Sequence, residues 1–214
     1  MPPIFYIIMG PNGAGKSTFG KLHTNGLPIY DPDKRKMEIF SYLSSLNKKQ
    51  RKEFYPAYTH DMFNEMFDEL VNDYQKEEYE ELRQHSIEQH TDFALETPFA
   101  DNFGLNEVMH FKSKQYIIHG IFFGLNTVEQ SITNVSIRVK KKGHDLPIQS
   151  IEWNFNQCYL NLNQHFDLFD SILFMDAQNP LTDPVLIAQY IQKRIIYIHA
   201  DRPVWLDRFT SGSR

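Results

Sequence analysis

The chain begins with a strand pattern that runs directly into a glycine-rich loop, and this junction constrains the fold more than any other feature. Residues 4–9 read IFYIIM, a continuous β-branched and aromatic run typical of a strand buried on both faces of a parallel sheet. The segment GPNGAGKST follows at once, and KSTFGKLHTN then favours a helix that stops at Asn25 and Gly26. This order of strand, loop and helix predicts an α/β domain with a doubly wound sheet.

The loop matches the pattern G-x-x-x-x-G-K-[ST], in which each residue type has a physical role. Its glycines let successive backbone N–H groups point inward and form an anion nest. Lys16 adds a cation for β- and γ-phosphates, and Ser17 offers a hydroxyl to Mg²⁺, an ion that keeps several waters and needs few protein ligands. The loop therefore predicts a site for a nucleoside triphosphate, taken as ATP, with Mg²⁺ on Ser17. The expected nucleotide contacts are Gly10, Pro11, Asn12, Gly13, Ala14, Gly15, Lys16, Ser17 and Thr18.

Further apolar runs alternate with helical patterns, as βα repeats require. We predict one P-loop NTPase domain over residues 1–214, with a five-stranded, mainly parallel sheet flanked by helices. A sixth apolar run has no certain place in the sheet. The predicted strands are IFYIIM, LPIY, DFALE, QYIIHGIFFGL at 115–125 and SILFM at 171–175, and the sixth run is RIIYIH at 194–199.

A glycine-free helical excursion at about residues 35–91 separates the second and third predicted strands. Its apolar residues recur at helical spacing, which indicates an amphipathic helix with an acidic outer face. The excursion is either a solvated set of helices at the edge of the domain or a lid or partner-docking element. The apolar positions are Met62, Phe63, Met66, Phe67, Leu70 and Val71.

Composition excludes several classes of protein. A net charge of -5 over 214 residues gives no general attraction to nucleic acid or membrane surfaces. The apolar run at 4–9 is too short for a membrane span. A single cysteine, Cys158, forms no internal disulfide, and the Cys/His spacing of zinc sites is absent from the sequence. We therefore expect a cytoplasmic protein whose basic sites are local.

Polar residues follow the second and third predicted strands, where a doubly wound sheet binds its ligands. Asp31 and Asp33 flank a proline, and alternate spacing would let one carboxylate approach the metal waters while the other serves as general base to an acceptor hydroxyl. Asp-Pro-Asp also starts helices well, which is the alternative interpretation. Glu96 and Thr97 end the third strand, where a carboxylate can bind substrate hydroxyls or order the water shell of a metal.

A basic segment, SIRVKKKGHDLP, places Arg138, three lysines and His144 within seven residues. Phosphoryl transfer requires cations over the transferring group, and one arginine in that role is worth about 10³ to 10⁵ in rate. The alternative is a helix C-terminus whose cations complement its dipole. For the lysines both interpretations stay open, whereas Arg138 is the predicted catalytic cation.

Four separated motifs in this order resemble the zeta-toxin-like P-loop kinases: GPNGAGKST, the aspartate pair, ETPFA, and RVKKKGHDLP followed by NQCYLNL. The resemblance covers about residues 3–178. It implies a five-stranded nucleoside-kinase sheet and ATP-dependent phosphorylation of a sugar hydroxyl, in the best understood members on UDP-N-acetylglucosamine. It implies that Lys16 and Ser17 hold phosphate and magnesium, Asp33 is the base, Glu96 a substrate-side carboxylate and Arg138 a transition-state cation.

Asp31, Thr97 and His144, which lie in the same polar segments, are further candidate substrate-binding residues beside Glu96. Some members of the family are neutralised by a small antitoxin protein, so the resemblance makes such a protein a candidate partner. One departure stands out: relatives carry further arginines where this chain reads SIEWNFNQ, around Asn154. The leading hypothesis is an ATP- and Mg²⁺-dependent kinase of a small hydroxylated acceptor. Two alternatives stay open: a nucleotide-binding regulatory protein with vestigial transfer, and a polynucleotide kinase, against which the isoelectric point near 6.0 argues.

Overall fold

A computed structural model describes residues 1–54, 56, 59–140, 146–179, 182–191 and 194–210. The strands are β1 Ile4–Met9, β2 Phe93–Glu96, β3 Ile117–Gly124, β4 Ser171–Asp176, β5 Val185–Ile191 and β6 Arg194–Ile198. The helices are α1 Lys16–Phe19, α2 Pro32–Ser45, α3 Lys48–Phe54, α4 His60–Glu65, α5 Phe67–Glu88, α6 Asn102–Ser113, α7 Val128–Lys140, α8 Ile148–Gln164 and α9 Asp207–Thr210. The chain forms two compact units, one of Met1–Tyr30 with His90–Arg214 and one of Asp31–Gln89.

The first unit is built on one sheet with the strand order β2-β1-β3-β4-β5-β6. The first four of these strands pair in parallel, while β5 and β6 pair antiparallel. The predicted strand LPIY contributes only one parallel bridge, between Tyr30 and Leu95. Pro28 explains this shortness, because proline has no N–H to donate to a strand ladder. With that bridge the parallel part has the five positions expected from the sequence, and the α/β fold class is confirmed.

The sheet differs from the prediction at its last strands. The run at 194–199 forms β6 over Arg194–Ile198, at the end of the strand order. Its neighbour β5, with the sequence VLIAQYI, was not predicted. The two strands extend the parallel sheet with an antiparallel pair that the βα pattern does not anticipate.

Aromatic side chains fill the core on one face of this sheet. Phe5 on β1 stacks on Phe111 of α6 at 4.1 Å between ring centroids. Farther along, Phe122 of β3 contacts Tyr159 of α8 and Trp205 of the C-terminal segment. All five rings are almost completely buried, so α6, α8 and the C-terminal segment are firmly attached to the sheet that carries the loop after β1.

The Asp31–Gln89 unit overlaps the helical excursion predicted at about 35–91 and has its own core. Helices α2 and α5 pack together, and Arg35 donates to both carboxylate oxygens of Glu78 at 2.7 and 2.6 Å. Of the predicted apolar positions, Phe63, Leu70 and Val71 are buried, whereas Met62 is 41% exposed. The buried cluster consists of Ile39, Leu43, Leu46, Phe63, Leu70 and Val71.

Within the described segments, no helix combines the length and apolar character that crossing a membrane requires.

Candidate active site

The loop between β1 and α1 has the backbone conformation that an anion nest requires. Gly10, Gly13 and Gly15 have φ angles of 131°, 75° and 80°, which side-chain-bearing residues rarely adopt. At Gly10 the backbone also lies so close to β3 that a Cβ would stand 2.2 Å from the Phe123 carbonyl oxygen. In the described part of the chain, the N–H groups of Gly13, Gly15 and Lys16 donate to no protein acceptor. These N–H groups are therefore available to an anion.

Lys16 lies across this loop rather than toward solvent. Its ammonium donates to the carbonyl oxygens of Gly10 at 2.8 Å and Pro11 at 3.0 Å, and the residue is 6% exposed. The cation is thus held within the same few residues as the nest. This arrangement places a positive charge beside N–H donors, as recognition of a polyphosphate requires.

Ser17 and Glu96 meet at the carboxyl end of the parallel strands. The Ser17 hydroxyl donates to Glu96 Oε1 at 2.8 Å, although the residues are 79 positions apart. Glu96 is the last residue of β2 and is 8% exposed. Its backbone N–H donates to the Tyr30 carbonyl at 2.8 Å, which fixes the backbone at this position. The sequence left open whether Glu96 serves the substrate or the metal shell, and this contact favours the metal shell.

The oxygen donors at this point suit Mg²⁺. A hydroxyl and a carboxylate are hard ligands, and Mg²⁺ is commonly bound by one or two protein oxygens plus phosphate oxygens and water. Among the residues that the structure describes, no group of three or more His, Cys, Asp or Glu could hold a metal. In a site of this kind Ser17 would hold the ion directly and Glu96 would hold its water shell, with the triphosphate supplying further oxygens.

The ETPFA segment after β2 forms a tight corner beside this carboxylate. The Thr97 hydroxyl accepts from the Phe99 N–H at 3.0 Å, and Phe99 has a φ of 61° although it is fully buried. The Asn161 amide of α8 donates to the Phe99 carbonyl at 3.1 Å. These two bonds stabilise a backbone conformation that is rare for a bulky residue. Thr97 has a structural role here, and its predicted contact with substrate remains a prediction.

Helices α7 and α8 bind the phosphate loop through three polar side chains. The Ser131 hydroxyl donates to the Asn12 carbonyl at 2.6 Å, and the Asn134 amide donates to the Gly13 carbonyl at 3.1 Å. On α8 the Asn154 amide donates to Asn12 Oδ1 at 2.8 Å. The position where an arginine was expected is thus occupied by a neutral side chain that holds the loop.

Arg138 lies on the side of α7 that faces the loop. Residues three and four positions apart share a helix face, so Arg138 follows Ser131 and Asn134 along the side that contacts Asn12 and Gly13. Arg138 is half-buried in the last turn of the helix. His144, the other predicted residue of this segment, lies outside the described residues, as do Lys141 and Lys142.

Asp31 and Asp33 belong to the Asp31–Gln89 unit. Asp31 caps α2, and its carboxylate accepts from the Lys34 N–H at 3.1 Å, so the helix-start interpretation is correct for this residue. Asp33 is exposed in the first turn of the same helix. Its assignment as general base remains a prediction.

The sequence did not indicate the side chains that join α7 and α8 to the phosphate loop and to the corner at Phe99. Ser131 and Asn134 are three residues apart on α7, and Asn154 and Asn161 are seven apart on α8. Both spacings place the pair on one helix face. Repeated small polar residues on the inner face of an amphipathic helix were the available signal, because such a face normally carries apolar residues.

Cys158 lies on the inner face of α8 and is completely buried. Burial raises the pKa of its thiol to about 12, although the nearby Lys16 cation acts in the opposite direction. A thiol with this pKa is protonated at neutral pH, so Cys158 belongs to the core rather than to the chemistry of the site.

Comparison with known proteins identifies similar folds rather than relatives in sequence. No protein-family model matches the chain, and no curated protein matches it by sequence. A chain of the AvrRxo1-ORF1:-ORF2 complex superposes with a TM-score of 0.60 at 11% identity, over 97% of this chain and 63% of that one. A chain of the PezAT toxin-antitoxin system of Streptococcus pneumoniae gives 0.57 at 17% identity, over 86% and 70%.

A third similar structure, the Pnkp1/Rnl/Hen1 RNA repair complex, gives a TM-score of 0.52 at 16% identity, over 76% of this chain and 46% of the matched one. The present chain spans 60% to 63% of the AvrRxo1 chains that it matches. These likenesses confirm the predicted α/β P-loop fold. It is the fold expected from the resemblance to zeta-toxin-like kinases.

Proposed function

We propose that the protein is an ATP- and Mg²⁺-dependent phosphotransferase that acts on a hydroxyl of a small acceptor. The contact between Ser17 and Glu96 carries this proposal, because it joins the end of the phosphate loop to a carboxylate at the ligand-binding edge of the sheet. That contact brings a carboxylate beside the hydroxyl that would hold the metal which phosphoryl transfer requires. Phosphoryl transfer requires a metal and phosphate site with an acceptor bound beside it, and the ligand-binding edge of the sheet is where an acceptor would bind.

Each proposed role follows from charge and position. The N–H groups of the loop and Lys16 bind the β- and γ-phosphates, and Ser17 and Glu96 would hold a magnesium ion, which would supply positive charge beside the phosphates. Arg138 stabilises the transferring group from α7. Asp33 accepts the acceptor's hydroxyl proton while the acceptor oxygen bonds to the γ-phosphorus and the bond from that phosphorus to ADP breaks.

The acceptor class follows from the resemblance noted in the sequence. We propose a nucleotide sugar, with UDP-N-acetylglucosamine as the first candidate, because four motifs of the chain follow the order found in zeta-toxin-like kinases. Asp31, Thr97 and His144 are the proposed contacts to it. A small antitoxin-like protein is a proposed partner on the same ground, since similar folds occur in structures described as a toxin-antitoxin system.

A screen of acceptors tests the proposal. The protein is incubated with ATP, Mg²⁺ and a mixed pool of sugar nucleotides, sugars and oligonucleotides, and mass spectrometry detects ADP and phosphorylated products. We expect ADP formation that depends on an acceptor and disappears in Lys16→Ala. Phosphorylation of an oligonucleotide alone would favour the polynucleotide-kinase alternative instead.

A second candidate function is a nucleotide-binding regulatory protein with vestigial transfer. The observation that favours it is Asn154, which binds the loop where zeta-toxin-like kinases carry a lid arginine. Under this alternative ATP binds with Mg²⁺, but no acceptor increases the rate of ADP formation. The same screen therefore distinguishes the two functions.

A further inference from the structure

The Asn12 side chain is buried in the phosphate loop with only half of its hydrogen-bonding capacity used. The residue is 5% exposed, its Oδ1 accepts from Asn154, and its backbone carbonyl accepts from Ser131. Its own side-chain N–H groups donate to no acceptor among the residues that the structure describes. The Asn12 nitrogen is not among the fully buried, unpaired side-chain atoms of the described residues, so it keeps some exposure through which a ligand oxygen can reach its N–H groups.

The contacts of Asn12 fix which way its donors can turn. Because Asn154 holds the carboxamide oxygen, the nitrogen of the same group must turn away from α8. An anion in the nest favours this orientation, since the flipped amide would direct its oxygen at the phosphate. The Asn12 donors are thus left for a ligand oxygen rather than for the protein.

The position of Asn12 indicates which phosphate it meets. Helices α7 and α8 contact the loop at Asn12 and Gly13, whereas Lys16 and Ser17 begin α1 at its other end. Arg138, the proposed transfer cation, lies on the α7 face that makes these contacts. The terminal phosphoryl group is the one such a cation must reach, so the Asn12 end of the loop is its side.

We propose that Asn12 donates a hydrogen bond to the terminal phosphoryl group of the bound triphosphate, and that Asn154 is the positioning residue that orients it. This inference rests on the proposed function. A neutral amide here takes part of the role of the missing lid arginine, because amide N–H groups also stabilise phosphate oxygens in a site that excludes water. The pair would let the site discriminate between ATP and ADP.

Calorimetric titration of ATP and of ADP, each with Mg²⁺, tests the proposal on the full chain. In Asn12→Ala the affinity for ATP should fall about tenfold to hundredfold, the effect of one hydrogen bond to a charged group, while the affinity for ADP stays within about twofold. Asn12→Asp keeps the shape of the side chain and the hydrogen bond from Asn154. Its affinity for ATP should nevertheless be lower than that of Asn12→Ala, because a carboxylate repels phosphate.

Two further variants examine the positioning role. Asn154→Ala should lower the affinity for ATP less than Asn12→Ala does. The double variant should have the same affinity for ATP as Asn12→Ala, because Asn154 acts through Asn12. Asn156→Ala is the matched control: its amide donates to the Glu152 carbonyl on the exposed side of α8, so both affinities should be unchanged.

The results separate this inference from the proposed function. If Asn12→Ala lowered the affinities for ATP and ADP equally, or lowered neither, the assignment of Asn12 would be wrong. The proposed function would be unaffected by that result as long as the wild-type protein binds ATP. A wild-type protein that binds neither nucleotide would overturn the proposed function and this inference with it.

Discussion

Replacing Gly10 by alanine should disable the phosphate loop. The new Cβ would lie 2.2 Å from the Phe123 carbonyl oxygen, about 1 Å less than the roughly 3.3 Å of a close carbon–oxygen contact. Met9 and Phe123 are both fully buried strand residues, so neither strand has room to withdraw. The φ of 131° at Gly10 adds strain of about 1–3 kcal/mol for any side-chain-bearing residue.

The clash predicts the size of the functional effect. The loop must move by about 1 Å to relieve it, and a misplacement of that size near a reacting group costs about 100-fold in rate. We therefore expect Gly10→Ala to lower kcat/KM for ATP by about 100-fold or more, with a loss of about 1–3 kcal/mol in the free energy of unfolding measured in urea.

Gly26→Ala is the matched control for this variant. Gly26 has a φ of 80°, but a Cβ there would meet nothing within 4 Å. The control thus carries a similar backbone penalty, about 1 kcal/mol, without a clash and away from the loop. We expect Gly26→Ala to retain wild-type turnover. If Gly10→Ala kept wild-type ATP affinity and turnover, the close approach of the loop to β3 would be refuted.

Three further outcomes are expected. Asp33→Asn should bind ATP as the wild type does but lose about 100-fold or more in kcat, because the base is removed while the phosphate cradle stays; full acceptor phosphorylation by this variant would exclude Asp33 as base. Cys158, with its pKa raised by burial to about 12, should not react with a thiol reagent at about pH 8 until the protein is denatured, and rapid labelling of the native protein would contradict its buried position. Burial lowers the pKa of His119 below 6.5, so the unfolded chain takes up a proton first and stability should fall as pH drops through about 6.5. Melting temperatures of wild type and His119→Asn at about pH 7.5 and about pH 5.5 should therefore differ more for the wild type, and equal differences would count against this residue as the cause.

The phosphate loop could be predicted because its conformation is local. Its glycines, Lys16 and Ser17 all lie within residues 10–17, and the residue type at each of these positions supplies what the anion nest requires. The contact between Ser17 and Glu96 was also within reach, because adjacent parallel strands end at the same edge of the sheet. The rule that parallel strands end at one edge of the sheet therefore predicts that these two residues, 79 positions apart in the chain, lie close together.

The antiparallel extension of the sheet could not be predicted from the sequence pattern. The run VLIAQYI follows a strand and precedes another, and an apolar run of that length does not state the direction in which it pairs. The βα repeat predicts parallel strands, so β5 and β6 depart from the rule that located the rest of the sheet.

The contacts between the helices and the loop could not be derived from spacing alone. Asn154 departs from the arginine that the resemblance implies, but its position does not indicate a partner, because a polar residue on a helix is more often solvated than paired. Its partner Asn12 lies 142 positions away in the chain. Only the packing of α8 against the loop determines that the two amides meet.

Following the γ-phosphoryl group distinguishes transfer to an acceptor from hydrolysis and from binding alone. ATP labelled at the γ-phosphate is incubated with the protein, Mg²⁺ and the acceptor pool, and the label is separated into inorganic phosphate and organic products. We expect label on an organic acceptor, formed at a rate that depends on acceptor concentration and abolished in Lys16→Ala. Label found only in inorganic phosphate, or only in unreacted ATP, would contradict this expectation.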